Sequence, residues 1–251
     1  AAAADGTASS GYKYIHSLPG TTLPTLDVYT IEGGDNNEAE VMEYSFVQDW
    51  RLSGAGGAAL MLSSNWRGRQ VALQSFTASL LPLAEEEILF LKGKLYLDAI
   101  GGTIGTTQLT GTFMSVDMAY LSGWLPFFSA DGNLYYTTPT LGKPLLTAAI
   151  VFRHEANAAA RKVDFRAQTT RKVRLQWDGS AYATAGSGTL NSAKKTLRID
   201  LTGARIQAIT PLGAQDGNNI LTITFRAGKN VTIAGASAAT LTCTNELSAL
   251  T

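Results

Sequence analysis

The sequence is poor in cysteine, in histidine and in charged side chains, and these scarcities exclude several classes of protein. Its one cysteine, Cys243, has no partner for an internal disulfide, so a small domain held together by disulfides is excluded. Charged residues make up 16% of the 251 residues, where globular domains usually carry roughly 25%. Twenty basic residues balance twenty acidic ones. Because no net charge attracts phosphate or anionic lipid, tight binding to DNA is disfavoured.

Long apolar runs are missing as well. No stretch reaches the roughly 18 consecutive apolar residues that a transmembrane helix needs. Residues 1–11, AAAADGTASSG, lack the basic flank and the apolar core of a signal peptide. We therefore expect a soluble protein made in a cytoplasm. Hydrophobic residues still make up 45% of the chain, which predicts a folded core rather than disorder.

Signatures of catalysis and of metal binding are absent from the sequence. His16 and His154 are far apart, and apart from Glu155 neither has a cysteine or a carboxylate at metal-ligand spacing. No G-x-S-x-G, P-loop or kinase signature occurs. The glycine-rich residues 101–105 lead into TTQLTGTF, which is not a helix, so they predict a β-hairpin loop rather than a phosphate site. We expect no enzyme activity, no metal and no cofactor.

Short alternating runs predict β-strands, because successive side chains of a strand point to opposite faces. Three runs are regular, at residues 173–177, 196–201 and 220–225. A fourth, residues 41–52, places Met42, Tyr44 and Phe46 on one face. Turn clusters separate the strands, at residues 33–37, 54–57, 101–102, 131–133, 178–180 and 216–219. This pattern is typical of a β-sandwich or barrel, and it makes the QDGNN of residues 215–219 a turn rather than a binding loop.

Helical patterns are scarce. Residues 84–92 follow Pro82, carry acidic residues early and a lysine late, and predict one short helix. Residues 155–162 fit either a second helix or a hairpin tip. Residues 1–21 are rich in small residues and predict a flexible N-terminal arm, which leaves residues 22–251 as one β domain.

Two charged clusters and the tryptophans each allow two interpretations. The acidic cluster is either a glycosidase pair or, as we favour, a solvated loop; it comprises Asp35, Glu38, Glu40 and Glu43. The basic cluster lacks interleaved aromatic residues and predicts a solvated or subunit-facing edge; it comprises Arg166, Arg171, Lys172 and Arg174. The four tryptophans could stack on sugars, but tryptophans in strands more often fill the core.

Several segments together resemble the major tail tube proteins of long-tailed, non-contractile bacteriophages. The C-terminal third carries the closest likeness, in the family's order, at residues 165–179, 195–209, 215–228 and 244–250. The N-terminal half is similar at residues 45–54, 75–83 with the following EEEIL, 94–107 and 127–137. The likeness is a pattern of strands and turns, not a catalytic signature.

The resemblance implies an all-β sandwich or barrel that assembles into stacked, hexameric rings with a central channel for the genome. The partners it implies are further copies of the chain, other tail proteins, and double-stranded DNA that passes without tight binding. It implies a location in the virion tail, after assembly in the cytoplasm of the bacterial host. On this reading the acidic cluster is a candidate lumen-facing loop, and the basic cluster is a candidate contact between subunits. The alternatives are a carbohydrate-binding β-sandwich of a tail tip or cell surface and, less favoured, a glycosidase.

Overall fold

A computed structural model of the protein describes residues 3–4, 11–18, 26–35, 38–77, 86–182, 194–215, 217–229 and 237–246. These residues form seventeen β-strands, one 3₁₀ turn (Phe90–Lys92) and one α-helix, α1 (Ala156–Arg166). The strands are β1 (Ala3–Ala4), β2 (Tyr12–Ser17), β3 (Tyr29–Gly34), β4 (Ala39–Ala55), β5 (Met61–Arg67), β6 (Gln70–Leu73), β7 (Gly93–Ala99), β8 (Gln108–Leu109), β9 (Phe113–Leu121), β10 (Trp124–Phe127), β11 (Thr138–Leu141), β12 (Leu145–Arg153), β13 (Thr170–Ala181), β14 (Lys194–Ile209), β15 (Gly213–Gln215), β16 (Asn218–Arg226) and β17 (Ala239–Asn245). The fold is all-β, as the alternating sequence predicts.

All the strand pairs are antiparallel, and fifteen strands belong to one continuous sheet. Its main path runs β1-β2-β17-β14-β16-β12-β9-β4-β3. The long strand β14 is the point at which this sheet turns. Residues 196–201 of β14 pair with β17, whereas residues 205–209 pair with β16, and β13 lies along the other side. The strand therefore passes from one layer of a sandwich to the other.

One hydrophobic core lies between the two layers. Leu175 and Trp177 of β13 belong to it together with Ile150 and Phe152 of β12 and Ile223 of β16. The predicted alternation is confirmed on three strands. Side chains at 173, 175 and 177, at 199 and 201, and at 221, 223 and 225 are buried, and Leu197 packs partly buried against them.

The prediction of a helix at residues 84–92 is wrong. Of its described part, residues 86–88 are irregular and only Phe90–Lys92 form a 3₁₀ turn. Tertiary contacts override the local helix signal, because Leu60 N donates to Ile88 O at 2.8 Å and Phe90 N donates to Ala58 O at 3.0 Å. These bonds tie the segment to the β4–β5 turn. The second candidate, residues 155–162, is the one that forms a helix, as part of α1.

Two strand irregularities also depart from the sequence pattern. Tyr29 pairs with Ser45 but Ile31 pairs with Met42, so β4 carries one extra residue at this point, next to Tyr44 with a φ of 51°. Such a bulge resets the alternation, so the predicted face shared by residues 42, 44 and 46 is wrong for Met42, whereas Tyr44 and Phe46 both pack against the ring of Tyr136. The predicted turn at residues 178–180 is instead a bulge inside β13.

Two loop predictions are confirmed. Residues 100–107 connect the paired strands β7 and β8 as a hairpin loop. Gln215 pairs with Asn218 in the β15–β16 hairpin, and Gly217 has a φ of 75°, so the chain reverses direction between Gln215 and Asn218 as predicted. Asp216 lies outside the described residues, and β16 begins at Asn218, two residues before the predicted start.

The predicted N-terminal arm contains a strand. Tyr12–Ser17 form β2, which pairs with β17 along its whole length. The division of the chain at residue 21 stays a prediction, because residues 19–25 lie outside the described ranges. Among the helices that the structure describes, none has the length and apolar character needed to span a membrane.

Candidate functional site

The strand β5 presents a free edge. It pairs with β4, and no other strand in the described ranges pairs with it. Its sequence MLSSNWR has no proline and a single charge, at Arg67, although proteins commonly protect exposed edges with such residues. Met61 and Leu62 are each 68% exposed. An edge with one charged residue and exposed apolar side chains is suited to pairing with another chain.

An apolar groove lies beside this edge, between β4 and β5 on one side and β14 and β17 on the other. Its cavity volume is about 240 Å³, and its lining residues are Val47, Trp50, Leu52, Leu62, Ser64, Trp66, Leu197, Ile199 and Leu241. Trp66 Nε1 donates to Ser64 Oγ at 2.9 Å, so the polar groups of these two residues satisfy one another. The groove therefore favours an apolar occupant over a sugar, which needs several polar partners.

The hairpin of β10 and β11 forms a small sheet of its own. On its outward face Phe127 pairs with Thr138 and Leu125 pairs with Thr140, and all four residues are exposed. The exposed fractions are 50% for Leu125, 52% for Phe127, 65% for Phe128 and 101% for Leu134. Exposed apolar side chains that cluster in this way are typical of an interaction surface.

The loop between β10 and β11 is fixed to β4 directly by Tyr136 and indirectly through Arg69, which lies in the turn between β5 and β6. The hydroxyl of Tyr136 donates to Tyr44 O at 2.8 Å, and Arg69 Nη2 donates to Thr137 O at 2.9 Å. The Arg69 guanidinium also lies 4.0 Å from the centre of the Tyr44 ring, a cation–π distance. Burial raises the pKa of the Tyr136 phenol, which keeps this donor protonated. The hairpin is thus held rigidly while its outer face stays open.

The structure brings three of the four predicted acidic residues together. Asp35, Glu38 and Glu40 are exposed and line a shallow cavity at the β3–β4 turn. Glu38 N donates to Asp35 Oδ1 at 3.0 Å, and this bond shapes the turn. Glu43 lies apart and accepts a hydrogen bond from Gln70 Nε2 at 2.9 Å. No group of three metal-binding side chains occurs in the part of the chain that the structure describes. A lumen-facing position for this loop stays a prediction.

The predicted basic edge is not an edge, because β13 pairs with β14 on one side and with β7 on the other. Three of its four residues make bonds within the chain. Arg171 pairs with Asp164 at 2.5 Å, Arg174 pairs with Asp200 at 2.7 Å, and Lys172 Nζ donates to Gly102 O at 2.6 Å. Arg166, at the end of α1, is exposed. A subunit contact through these residues stays a prediction, with Arg166 the most accessible of them.

Three of the four tryptophans lie in the core or the groove, and Trp124 lies in β10. Trp177 is 1% exposed and belongs to the core, as predicted. Trp50 packs 5.6 Å from the Tyr120 ring, and Trp66 packs 5.6 Å from the Tyr29 ring. His16 is exposed on β2, and His154 is half-buried.

Sequence reasoning missed the hairpin surface and the free edge of β5. A signal for the hairpin was present, because residues 122–142 contain one charged residue, Asp131, among many apolar ones. The exposure of these apolar residues could not be predicted from the sequence pattern, since apolar strand residues are usually buried. The chain matches no model of a known protein family and no curated protein.

Proposed function

We propose that the protein is a structural subunit of a bacteriophage tail tube, which forms stacked, hexameric rings whose lumen conducts the genome. The observation that carries the proposal is the free edge of β5, which has a single charged residue, Arg67, and no proline. Such an edge is an aggregation hazard on an isolated domain, but a neighbouring subunit can cover it in a closed ring. The resemblance of the strand and turn sequences to tail tube proteins suggests that this assembly is a tube of stacked rings.

The balance of charge fits a channel for DNA. Each contact between a cationic side chain and a phosphate would slow the passing genome, and the chain carries no net positive charge. The acidic loop of Asp35, Glu38 and Glu40 would repel phosphate if it faced the lumen. The partners are then other copies of the chain, further tail proteins at the tube ends, and DNA in transit. The site of action is the virion tail, assembled in the host cytoplasm.

The role requires no reaction, metal or cofactor. What it requires is a rigid body with two or more complementary surfaces, and the sandwich core supplies the rigidity. The free edge of β5, the apolar groove and the β10–β11 face are candidates for those surfaces.

Self-association of the purified protein tests the proposal. Light scattering and negative-stain electron microscopy over a concentration series should show rings or tubes on the order of 100 Å wide, the scale of six such domains around a channel. The variant Met61→Lys places a charge on the β5 edge and should prevent assembly without unfolding. Val163→Lys is the matched control, since Val163 is 62% exposed on α1.

Three results are informative. Assembly by the wild type and by Val163→Lys, but not by Met61→Lys, supports the proposal. Equal assembly by all three shows that the β5 edge is not used. A wild type that stays monomeric at every concentration contradicts a tube subunit, and binding to a glycan array would then favour the carbohydrate-binding alternative.

A further inference from the structure

The β10 and β11 strands carry no charged side chain on the outward face of their hairpin; the hairpin's one charged residue, Asp131, lies in the tip and accepts hydrogen bonds there from Ser129 Oγ at 3.0 Å and Asn133 N at 3.1 Å. Leu125 and Phe127 lie on the outward face beside Thr140 and Thr138. We infer that this face, with Phe128 and Leu134 at its tip, docks in the apolar groove of a second copy, against Leu62, Ser64 and Leu241. The inference rests on the proposed function, because it supposes that copies of the chain assemble.

The two surfaces match in chemistry. The hairpin face offers aromatic, leucine and threonine side chains, and the groove is lined by aliphatic and tryptophan side chains and Ser64, with no charged residue. A charged or strongly polar partner would have to lose its hydration at either surface without finding a counter-charge. A second copy of this chain supplies an apolar, uncharged partner for each.

The hairpin's exposed apolar side chains are not buried by the rest of its own chain. Its attachment to Tyr44 and Arg69 holds it on β4, and Leu134 is still 101% exposed there. The groove of the same chain is likewise open. Because the hairpin and the groove are different surfaces, one copy can dock on a second copy and still receive a third, and such head-to-tail contacts repeat into rings or extended stacks.

The area explains why the contact would belong to an assembly rather than to a dimer. A large aromatic side chain buries roughly 150–250 Å². With Phe127 and Phe128 about half to two-thirds exposed and the two leucines added, the hairpin can bury on the order of 400–500 Å². A stable interface uses about 800 Å² from each partner. One hairpin contact is therefore weak alone and needs the further contacts that a closed ring provides.

The hairpin is also preorganised for docking. The hydrogen bonds of Tyr136 and Arg69 fix its position before any partner arrives. Little conformational freedom is then lost on binding, which favours association through a small surface.

Site-directed cross-linking tests the contact. Thr138→Cys and Ser64→Cys are made as separate variants, each with Cys243→Ser to remove the native thiol. Mixed, assembled and oxidised, the two variants should give a band of twice the chain mass on a non-reducing gel. Each variant alone, and a mixture of Ser64→Cys with Val163→Cys, should give far less of it.

A second pair of variants is expected to fold, because the changed side chain is exposed. Leu134→Asp should raise the concentration needed for half-assembly about tenfold or more, since an apolar side chain no longer becomes buried. Val163→Asp, an equally simple change on α1, should leave that concentration unchanged.

The outcomes separate this inference from the proposed function. Rings that form normally with Leu134→Asp and show no 138–64 cross-link overturn the inference and leave the tube proposal standing. A cross-link of residue 138 to itself, without the 138–64 product, also overturns it, because the hairpins then meet one another. A wild type that never self-associates overturns both.

Discussion

The hydroxyl of Tyr136 lies 2.8 Å from the backbone carbonyl oxygen of Tyr44, to which it donates a hydrogen bond. The bond joins residues 92 positions apart and fastens the β10–β11 hairpin to β4. It reaches β4 where the strand bulges, at the residue whose φ is 51°. A bulge turns local backbone groups out of the regular ladder, and here one freed carbonyl becomes the anchor for an exposed apolar hairpin.

The variant Tyr136→Phe removes this bond and leaves the Tyr44 carbonyl without its partner. We expect a loss of about 1 kcal/mol in the free energy of unfolding, the usual net value of a buried hydrogen bond. Urea unfolding followed by fluorescence measures it. Tyr135→Phe is the control, since the hydroxyl of Tyr135 makes no hydrogen bond among the described residues. An equal loss in both variants would contradict the assignment of the effect to this bond, because both variants keep the aromatic ring and lose only a hydroxyl.

The strands were predictable because burial leaves a period of two in the sequence. Leu221, Ile223 and Phe225 alternate with threonines and are buried in β16. The bulge at Tyr44 was not predictable, since one inserted residue changes the face of every residue after it and leaves no compositional mark. The helix prediction at residues 84–92 was wrong because backbone groups of this segment form hydrogen bonds with the β4–β5 turn, a tertiary contact that the local sequence does not show.

The candidate surfaces were less predictable than the core. An exposed leucine and a buried leucine look alike in sequence, so Leu134 could not be told from a core residue. The basic cluster misled in the opposite sense. Arg171 and Arg174 suggested a solvated edge, but they form ion pairs with Asp164 and Asp200 inside the fold. Nothing in the sequence pattern marks these two aspartates as their partners.

The carboxylate of Asp164 is a buried anchor for α1. It is 5% exposed and binds two guanidinium groups, Arg161 at 2.7 Å and Arg171 at 2.5 Å. Asp164→Ala leaves both cations without this partner, and removing one member of a buried ion pair costs about 3–5 kcal/mol. We expect a loss near the lower value, because Arg171 is partly exposed. Thermal and urea unfolding measure it.

The control for that prediction is an exposed ion pair beside the same helix. Arg153 and Glu155 lie 2.9 Å apart with half-exposed side chains. Surface pairs of this kind contribute about 0–1 kcal/mol, so Glu155→Gln should change stability little. If Glu155→Gln were as destabilising as Asp164→Ala, burial would not be the reason for the large effect.

The carboxylate of Asp98 organises the β7–β8 loop. It accepts hydrogen bonds from Gly105 N at 2.6 Å, Thr107 N at 2.8 Å and Thr106 Oγ1 at 3.0 Å. Burial alone would raise the pKa of this carboxyl, but the hydrogen bonds from Thr107, Gly105 and Thr106 outweigh it and hold the pKa below the usual 3.8. The charged form is therefore favoured in the folded protein.

The sign of the pH dependence follows from that lowered pKa. Stability from Asp98 is fully present above pH 3.8 and is lost as the pH falls through the lower, folded pKa. Asp98→Asn should cost roughly 2 kcal/mol at pH 7, as expected for hydrogen bonds to a charged group, and the gap to the wild type should narrow below pH 3.8. Urea unfolding at several pH values checks this. Asp131→Asn, at an exposed turn, should have a smaller effect, and a gap that stayed constant with pH would contradict the assignment to Asp98.

The acidic loop gives a prediction about the channel itself. A tube whose lumen repels phosphate should retain little DNA even at low ionic strength, where charge effects extend furthest. Replacing the three acidic residues of the loop with their amides adds three positive units to the net charge of each subunit. The replacements are Asp35→Asn, Glu38→Gln and Glu40→Gln. Assembled tubes of this variant should retain more double-stranded DNA on a filter at low salt, and the difference should shrink as salt is added.

The matched control changes the net charge equally at other positions, with Asp27→Asn, Glu87→Gln and Glu155→Gln. Because both variants carry the same total charge, a difference between them reports where the charge lies relative to the DNA. Greater retention by the loop variant places the β3–β4 turn beside the channel. Equal retention places it elsewhere on the ring, because DNA would then respond to net charge alone.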